Sequence, residues 1–277
     1  RFESRGLGDV YKRQIMDLSL KGKRAIVCGS TQGIGKSIAI KLAEHGAAIT
    51  LIARNEKKLI DVIDELKNTS SMEHNFIVSD FNDLNTLEKK FTDFINKDFK
   101  PTILINNTGG PPPGEISKAS KKDFKDYMSM HLHTSHFLST SLLPIMKKES
   151  YGRIVNIISI SVKAPIDNLG VSNTVRWAMA SWAKTLSNEV AEYGITVNNI
   201  LPGFTDTERL RSLMKNRALS SNTSTEEITN NTISNIPAKR FGKPEEVADA
   251  TAFLCSKAAS YINGINLPVD GGFSKSL

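Results

Sequence analysis

Two short stretches hold residues whose types and spacing could do chemistry. The first is "GSTQGIG", Gly29 to Gly35, with Ser30, Thr31, Gln32 and Ile34 between its glycines. Glycines at 29, 33 and 35 allow a tight turn, close backbone approach to a diphosphate and close packing of a helix on a strand; the helix N-terminus supplies N–H groups for the anion. The second is "VSNTVR", 171 to 176, in which Ser172 and Arg176 are four apart and share a face on a helix. That pair reads as an active centre, the remains of one, or the polar start of a helix, because Ser and Asn are ordinary helix-starting residues.

A third position concerns the nucleotide. The run "LIARN" places Ala53 where a ribose-binding acid could stand, followed at once by Arg54. An acid would bind the adenosine 2′-hydroxyl, whereas an arginine favours a 2′-phosphate, so NADP(H) is expected over NAD(H). His131, His133 and His136 make no metal site: only 133 and 136 share a helix face.

The elements that must position these residues alternate along the chain. Apolar, β-rich runs occur at 24–28, 48–53, 75–79, 102–106, 153–158, 195–201 and 264–269, separated by helix-period segments. Seven strands alternating with helices imply an α/β fold, a single Rossmann-type doubly wound parallel sheet with helices on both faces. "RAIVC" precedes the glycine turn and "KSIAIKLAEHG" follows it, the strand–turn–helix context that a nucleotide cradle requires. The polar segment from 207 to 237, Ser-, Thr- and Asn-rich beyond 216, is expected to be a lid or a decorated surface loop.

Composition bounds the function classes. The 277 residues are 39% hydrophobic and 23% charged, and no apolar run approaches the roughly 18 to 20 residues needed to span a membrane. Net charge is +7, yet no Lys/Arg block with interleaved aromatics marks a nucleic-acid surface. Cys28 and Cys255 lie in apolar runs and read as buried small hydrophobes, which fits a reducing, cytoplasmic setting. Residues 1–15 lack a strand or helix period and a signal-peptide core, and read as a non-native or disordered extension before a single domain at 16–277.

With "GSTQGIG", "SDF" (79–81), "NNTGG" (106–110), "IVNIIS" (154–159), "LPGFTDT" (201–207) and "RFGKPEEVADATAFLCS…YINGINLPVDGG" (240–272) in this order, the chain resembles the short-chain dehydrogenase/reductases. More narrowly, it is similar to their 3-oxoacyl-[acyl-carrier-protein] reductase-like branch. The resemblance implies that Asp80 and Phe81 flank the adenine and that Asn107, Thr108 and Gly109 line the cofactor ribose and phosphates. It further implies that Pro202, Gly203, Phe204, Thr205 and Thr207 contact the nicotinamide end, and that the protein forms a homodimer or homotetramer. Ser159 matches the family's catalytic serine, which would hydrogen-bond a substrate carbonyl. Ser172 and Arg176 stand where the family has the Tyr and Lys of Tyr-x-x-x-Lys, and His131 replaces its helix asparagine.

Those replacements matter for proton chemistry. Hydride transfer to a ketone leaves an alkoxide that must be protonated; a serine hydroxyl is a far weaker acid than a tyrosine, and an arginine stays charged. Arg176 could still hold the cofactor ribose and stabilise developing negative charge. His131 introduces a group that titrates near neutrality: it could supply the proton through water or Ser172, or be a buried, hydrogen-bonded helix residue. The leading expectation is an NADP(H)-dependent oxidoreductase acting on a small carbonyl, alcohol or acyl-thioester substrate. An NADP(H)-binding pseudoenzyme and a non-redox lyase or isomerase are the alternatives. Arg209, Arg211, Lys215 and Arg217 could attract an anionic substrate or form a solvated helix face, and "GGPPPG" is expected to lay a stiff loop near the site mouth.

Overall fold

The computed structural model describes residues 16–96 and 99–276; the extension at 1–15 lies outside them. Seven strands appear where the apolar runs fall: β1 Arg24–Cys28, β2 Ala48–Ala53, β3 Asn75–Val78, β4 Ile103–Asn106, β5 Gly152–Ile157, β6 Ile195–Pro202 and β7 Asn266–Val269. They form one parallel sheet of order β3-β2-β1-β4-β5-β6-β7. β1, β2, β4 and β5 are buried on nearly every residue, as continuous apolarity requires of strands covered on both faces.

Two helical layers provide that cover. One holds α1 (Gly33–Glu44), α2 (Glu56–Thr69) and the late helix α9 (Pro244–Cys255). The other holds α3 (Leu84–Ile95), α5 (Thr134–Lys148) and α6 (Gly170–Val190). Alternate strand residues divide between them: Ala25 and Val27 pack with the first layer, Ile26 and Cys28 with the second. Cys28 and Cys255 are buried thiols, each pushed up to about 12 by burial. α6 buries Ser172, Val175, Arg176, Met179, Ala183, Leu186 and Val190, a stripe at helical spacing, so its two polar members face inward with the core residues.

The strand order reverses between β1 and β4. Their C-terminal ends therefore open a crevice, the place where doubly wound sheets bind ligands. From that crevice an amide ladder crosses the sheet. Asn106, Asn156, Asn199 and Asn266 are register partners on β4, β5, β6 and β7, and each Nδ2 donates to the next Oδ1 at 2.8 Å.

The polar segment after β6 is a pair of helices rather than a loop: α7 spans Glu208–Ser220 and α8 Thr225–Ser234. Thr207 caps α7 by accepting from Leu210 N, and Ser224 caps α8 by accepting from Glu227 N. Leu210, Met214 and Ala218, each four apart, give α7 a buried edge within a polar sequence.

Candidate active site

The glycine cradle is dictated by sterics. Gly29 and Gly33 have φ of 56° and 53°, a left-handed conformation that favours glycine. A Cβ on Gly35 would lie 2.2 Å from Gly29 O, and one on Gly29 would lie 2.6 Å from Asn107 O. The turn is thus pressed against the loop after β4, and Asn107 Nδ2 holds it there by donating to Cys28 O and Gly29 O at 3.2 Å. Gln32 gives α1 no side-chain cap and its first turn carries no acid, which leaves the helix N-terminus open to an anion. Ser30 is fully buried with an unpartnered Oγ, while a Cβ on Gly109 would meet nothing within 4 Å. A tight cradle with orphaned donors beside open space suits a dinucleotide.

The flanking positions sort more finely. Arg54 is exposed at the end of β2. In the first turn of α2, Lys58 Nζ donates to Gln32 Oε1 at 3.2 Å, a second cation at the cradle that sequence reasoning missed. Thr31 is half-buried beside it, and Ile34 packs against the core. Asp80 Oδ1 accepts from Asn82 N and Nδ2. Phe81 is buried, with its ring in a core cluster with Ile77, Leu87 and Phe91. At the other end Thr207 Cγ2 lies 3.1 Å from where a Gly33 Cβ would be, which brings the segment from Pro202 through Gly203, Phe204 and Thr205 to the cradle.

The chemistry-bearing side chains converge past the ends of β4 and β5. Ser159 leaves β5 in extended conformation, and its Oγ accepts from Ser161 N at 3.1 Å. Arg176 reaches across from α6, where Nη1 donates to Ile157 O at 3.2 Å. It is 8% exposed and its Nε is buried without a partner. Burial, then the nearby Arg209, push its guanidinium down to about 9, so it is charged at pH 7. Ser172, also 8% exposed, lies one turn before it on the same buried stripe. The proline loop crosses this turn: Gly114 N donates to Asn168 O, and Gly170 N to Gly114 O.

His131 stands in a single π-turn, Ser129–His133, between α4 (Lys121–Met128) and α5. Such bulges concentrate at functional sites. It is 2% exposed, with Nδ1 2.5 Å from Thr108 Oγ1 and Nε2 unpartnered. Desolvation, then the charges of Arg176 and Arg209, hold it well below the ordinary histidine range. The expectation that it titrates near neutrality is therefore corrected: the ring is neutral at pH 7, able to relay a proton rather than carry one. His133 and His136 are exposed, and His136 Nδ1 accepts from Trp182 Nε1.

The basic quartet of the polar segment divides. Arg209 turns into the site, Arg211 pairs with Asp206, Lys215 is exposed, and Arg217 lines a cavity of about 700 Å³. That cavity opens beside Ser159, between Ile160, Phe204 and Phe273, with Lys163 and Lys275 on its rim. Phe273 meets Phe204 edge-on at 5.1 Å.

Comparison with known proteins agrees with this geometry. Residues 29–274 match the family model described as Enoyl-(Acyl carrier protein) reductase. The chain is 32% identical over 259 residues to the 3-oxoacyl-[acyl-carrier-protein] reductase FabG of Aquifex aeolicus, covering 93% of this chain and 99% of that one. It is 30% identical over 260 residues to the NADPH-dependent reductase BacG of Bacillus subtilis, covering 92% and 99%. Among solved structures, L-sorbose reductase from Gluconobacter frateurii, complexed with NADPH and L-sorbose, superposes with a TM-score of 0.89 at 30% identity, over 95% of this chain and 100% of that one. A glycine cradle at the sheet's switch point, an invading helix that presents positions 172 and 176, and relatives matched from end to end make this chain a member of the short-chain dehydrogenase/reductase family, in its 3-oxoacyl-[acyl-carrier-protein] reductase-like branch.

Proposed function

We propose that the protein is an NADPH-dependent carbonyl reductase that works with a rebuilt proton-handling site. The observation that carries this reading is the placement of Ser159 and a buried, charged Arg176 directly beyond a cradle that only glycines can form. Relatives that use NADPH, and the two cations Arg54 and Lys58 near the expected 2′-phosphate, support NADPH over NADH.

When bound, the nicotinamide supplies a hydride to the carbonyl carbon. The chain's own residues then manage the negative charge that develops on the carbonyl oxygen. Ser159 and Ser172 offer hydroxyl donors, and Arg176 places a fixed positive charge within a poorly solvated pocket, where it counts for more than in water. Since no tyrosine stands at 172, the final proton comes through a weaker path, which runs from solvent by way of Ser172 or the neutral His131–Thr108 pair. Replacing a positioned general acid in this way slows turnover by about 10² to 10⁴ relative to an enzyme that has one.

The test is direct. NADPH deuterated at the transferable position is incubated with the protein and a cell metabolite extract, and products that gain deuterium are sought by mass spectrometry. Deuterium in an alcohol, lost with Ser159→Ala while NADPH still binds, is the expected result. NADPH binding without any deuterium transfer would move the reading to a cofactor-binding pseudoenzyme, and a product formed with no change in cofactor redox state to a lyase or isomerase.

A further inference from the structure

Two guanidiniums meet at Gly110. A Cβ there would lie 2.5 Å from Arg209 Nη2 and 3.2 Å from Arg176 Nη2, so both cations press on one point of the loop after β4, where a side chain would displace them. Arg209 comes from the first turn of α7 and donates from Nη1 to Gly110 O at 3.0 Å and from Nη2 to Pro111 O at 3.1 Å. Arg176 comes from α6 and spends one bond on Ile157 O. Every protein partner of the pair is a neutral backbone carbonyl. Among the described residues no carboxylate pairs with either guanidinium. The Nε of Arg176 is enclosed with nothing to bond, in a side chain more than nine-tenths buried.

Like charges brought together repel, and the enclosed unmade donor of Arg176 costs about 1–3 kcal/mol. Such an arrangement persists when an anion completes it. A planar carboxylate suits guanidinium forks best, since it accepts parallel N–H bonds from each. Arg209 is exposed, so the site is open to an entering ligand.

We propose that Arg176 and Arg209 bind a carboxylate attached to the carbon that is reduced, which makes a 2-oxo acid the substrate class. The proposal rests on the carbonyl reductase reading and adds the position of the charge. Arg176 bonds to Ile157 O, two residues before Ser159, and Ser172 lies one turn away on the same face. A carboxylate held by the two cations would then adjoin an oxygen bound by these hydroxyls. The cavity between Phe204 and Phe273 takes the remainder of the molecule.

Binding without turnover tests this separately from catalysis. Oxamate, an unreactive 2-oxo acid mimic, and its neutral partner oxamide are titrated calorimetrically into the protein saturated with NADP⁺. The expected result is oxamate binding at least about tenfold tighter than oxamide. Arg209→Gln removes that preference, Arg209→Lys keeps part of it, and NADPH affinity, read from nicotinamide fluorescence, stays within about threefold for both variants. Failure of oxamate to bind, or equal binding of the two probes, overturns the proposal. So does a parallel loss of NADPH and oxamate affinity in Arg209→Gln, which would assign the pair to the cofactor. If oxamate binds selectively and no deuterium transfer occurs with any 2-oxo acid, the anion site stands and the reductase reading falls.

Discussion

His131 shows how a residue's environment overrides its type. Read as a letter it is a neutral-pH proton donor; enclosed beside Arg176 and Arg209 it is held neutral. The consequence is a pH-dependent stability. The unfolded chain takes up a proton near the reference pKa of about 6.5, and the native ring does not, so the unfolded state binds more protons and is favoured as pH falls below that value. This residue makes stability drop by up to about 1.4 kcal/mol per pH unit from pH 6.5 downward, until its depressed native pKa is reached. His74, whose Nδ1 accepts from Ile49 N, is lowered mainly by desolvation and acts in the same direction, so the comparison must be between proteins. Urea unfolding of His131→Asn between pH 5 and 7.5 should show a shallower decline than the parent. An identical slope would mean that the ring takes up its proton as readily in the folded chain as in the unfolded one.

Elements were far more legible than their side-chain environments. All seven strands fall on apolar runs and α1 on the segment after the glycine turn, because burial on both faces and helical periodicity leave direct marks in sequence. α7 and α8 were obscured because their buried edge is only a few residues wide, and the burial of Phe81 because a motif position does not reveal which way a ring points. The glycine turn is the element whose geometry can be tested most sharply. Gly35→Ala would drive a methyl into Gly29 O, a rigid backbone atom at the core of the cradle. NADPH affinity should fall by more than about tenfold, through displacement of the α1 N-terminus by an ångström or so rather than through any lost contact. Gly109→Ala, which meets open space, is the control in which the fold is undisturbed and only a bound dinucleotide could object. If Gly35→Ala bound NADPH normally, the turn would not be the phosphate cradle.

At the scale of the whole molecule, the amide ladder connects the crevice to the last strand. The asparagines lie in or at the end of apolar runs, Asn106 beside Asn107 and Asn199 beside Asn198, and no local pattern links residues 106, 156, 199 and 266. They become neighbours only through the order β4-β5-β6-β7, which makes the ladder a tertiary fact invisible to motif reading. Its ends differ from its middle, and that difference is measurable. Asn156 donates to Asn199 and accepts from Asn106, while Asn266 only accepts from Asn199. Asn156→Leu keeps the branching at Cγ but leaves one buried donor and one buried acceptor without partners, a cost of about 2–6 kcal/mol at roughly 1–3 kcal/mol per unmade group. Asn266→Leu strands a single donor at a half-buried position and should cost about 1 kcal/mol. Urea midpoints of the two variants would rank them. Asn156 sits one residue before Ile157, whose carbonyl anchors Arg176, so the larger loss should also lower affinity for anionic probes while Asn266→Leu leaves it near the parent value. Equal midpoints for the two would show that the rungs act independently, and that the sheet's C-terminal edge is held by its backbone bonds alone.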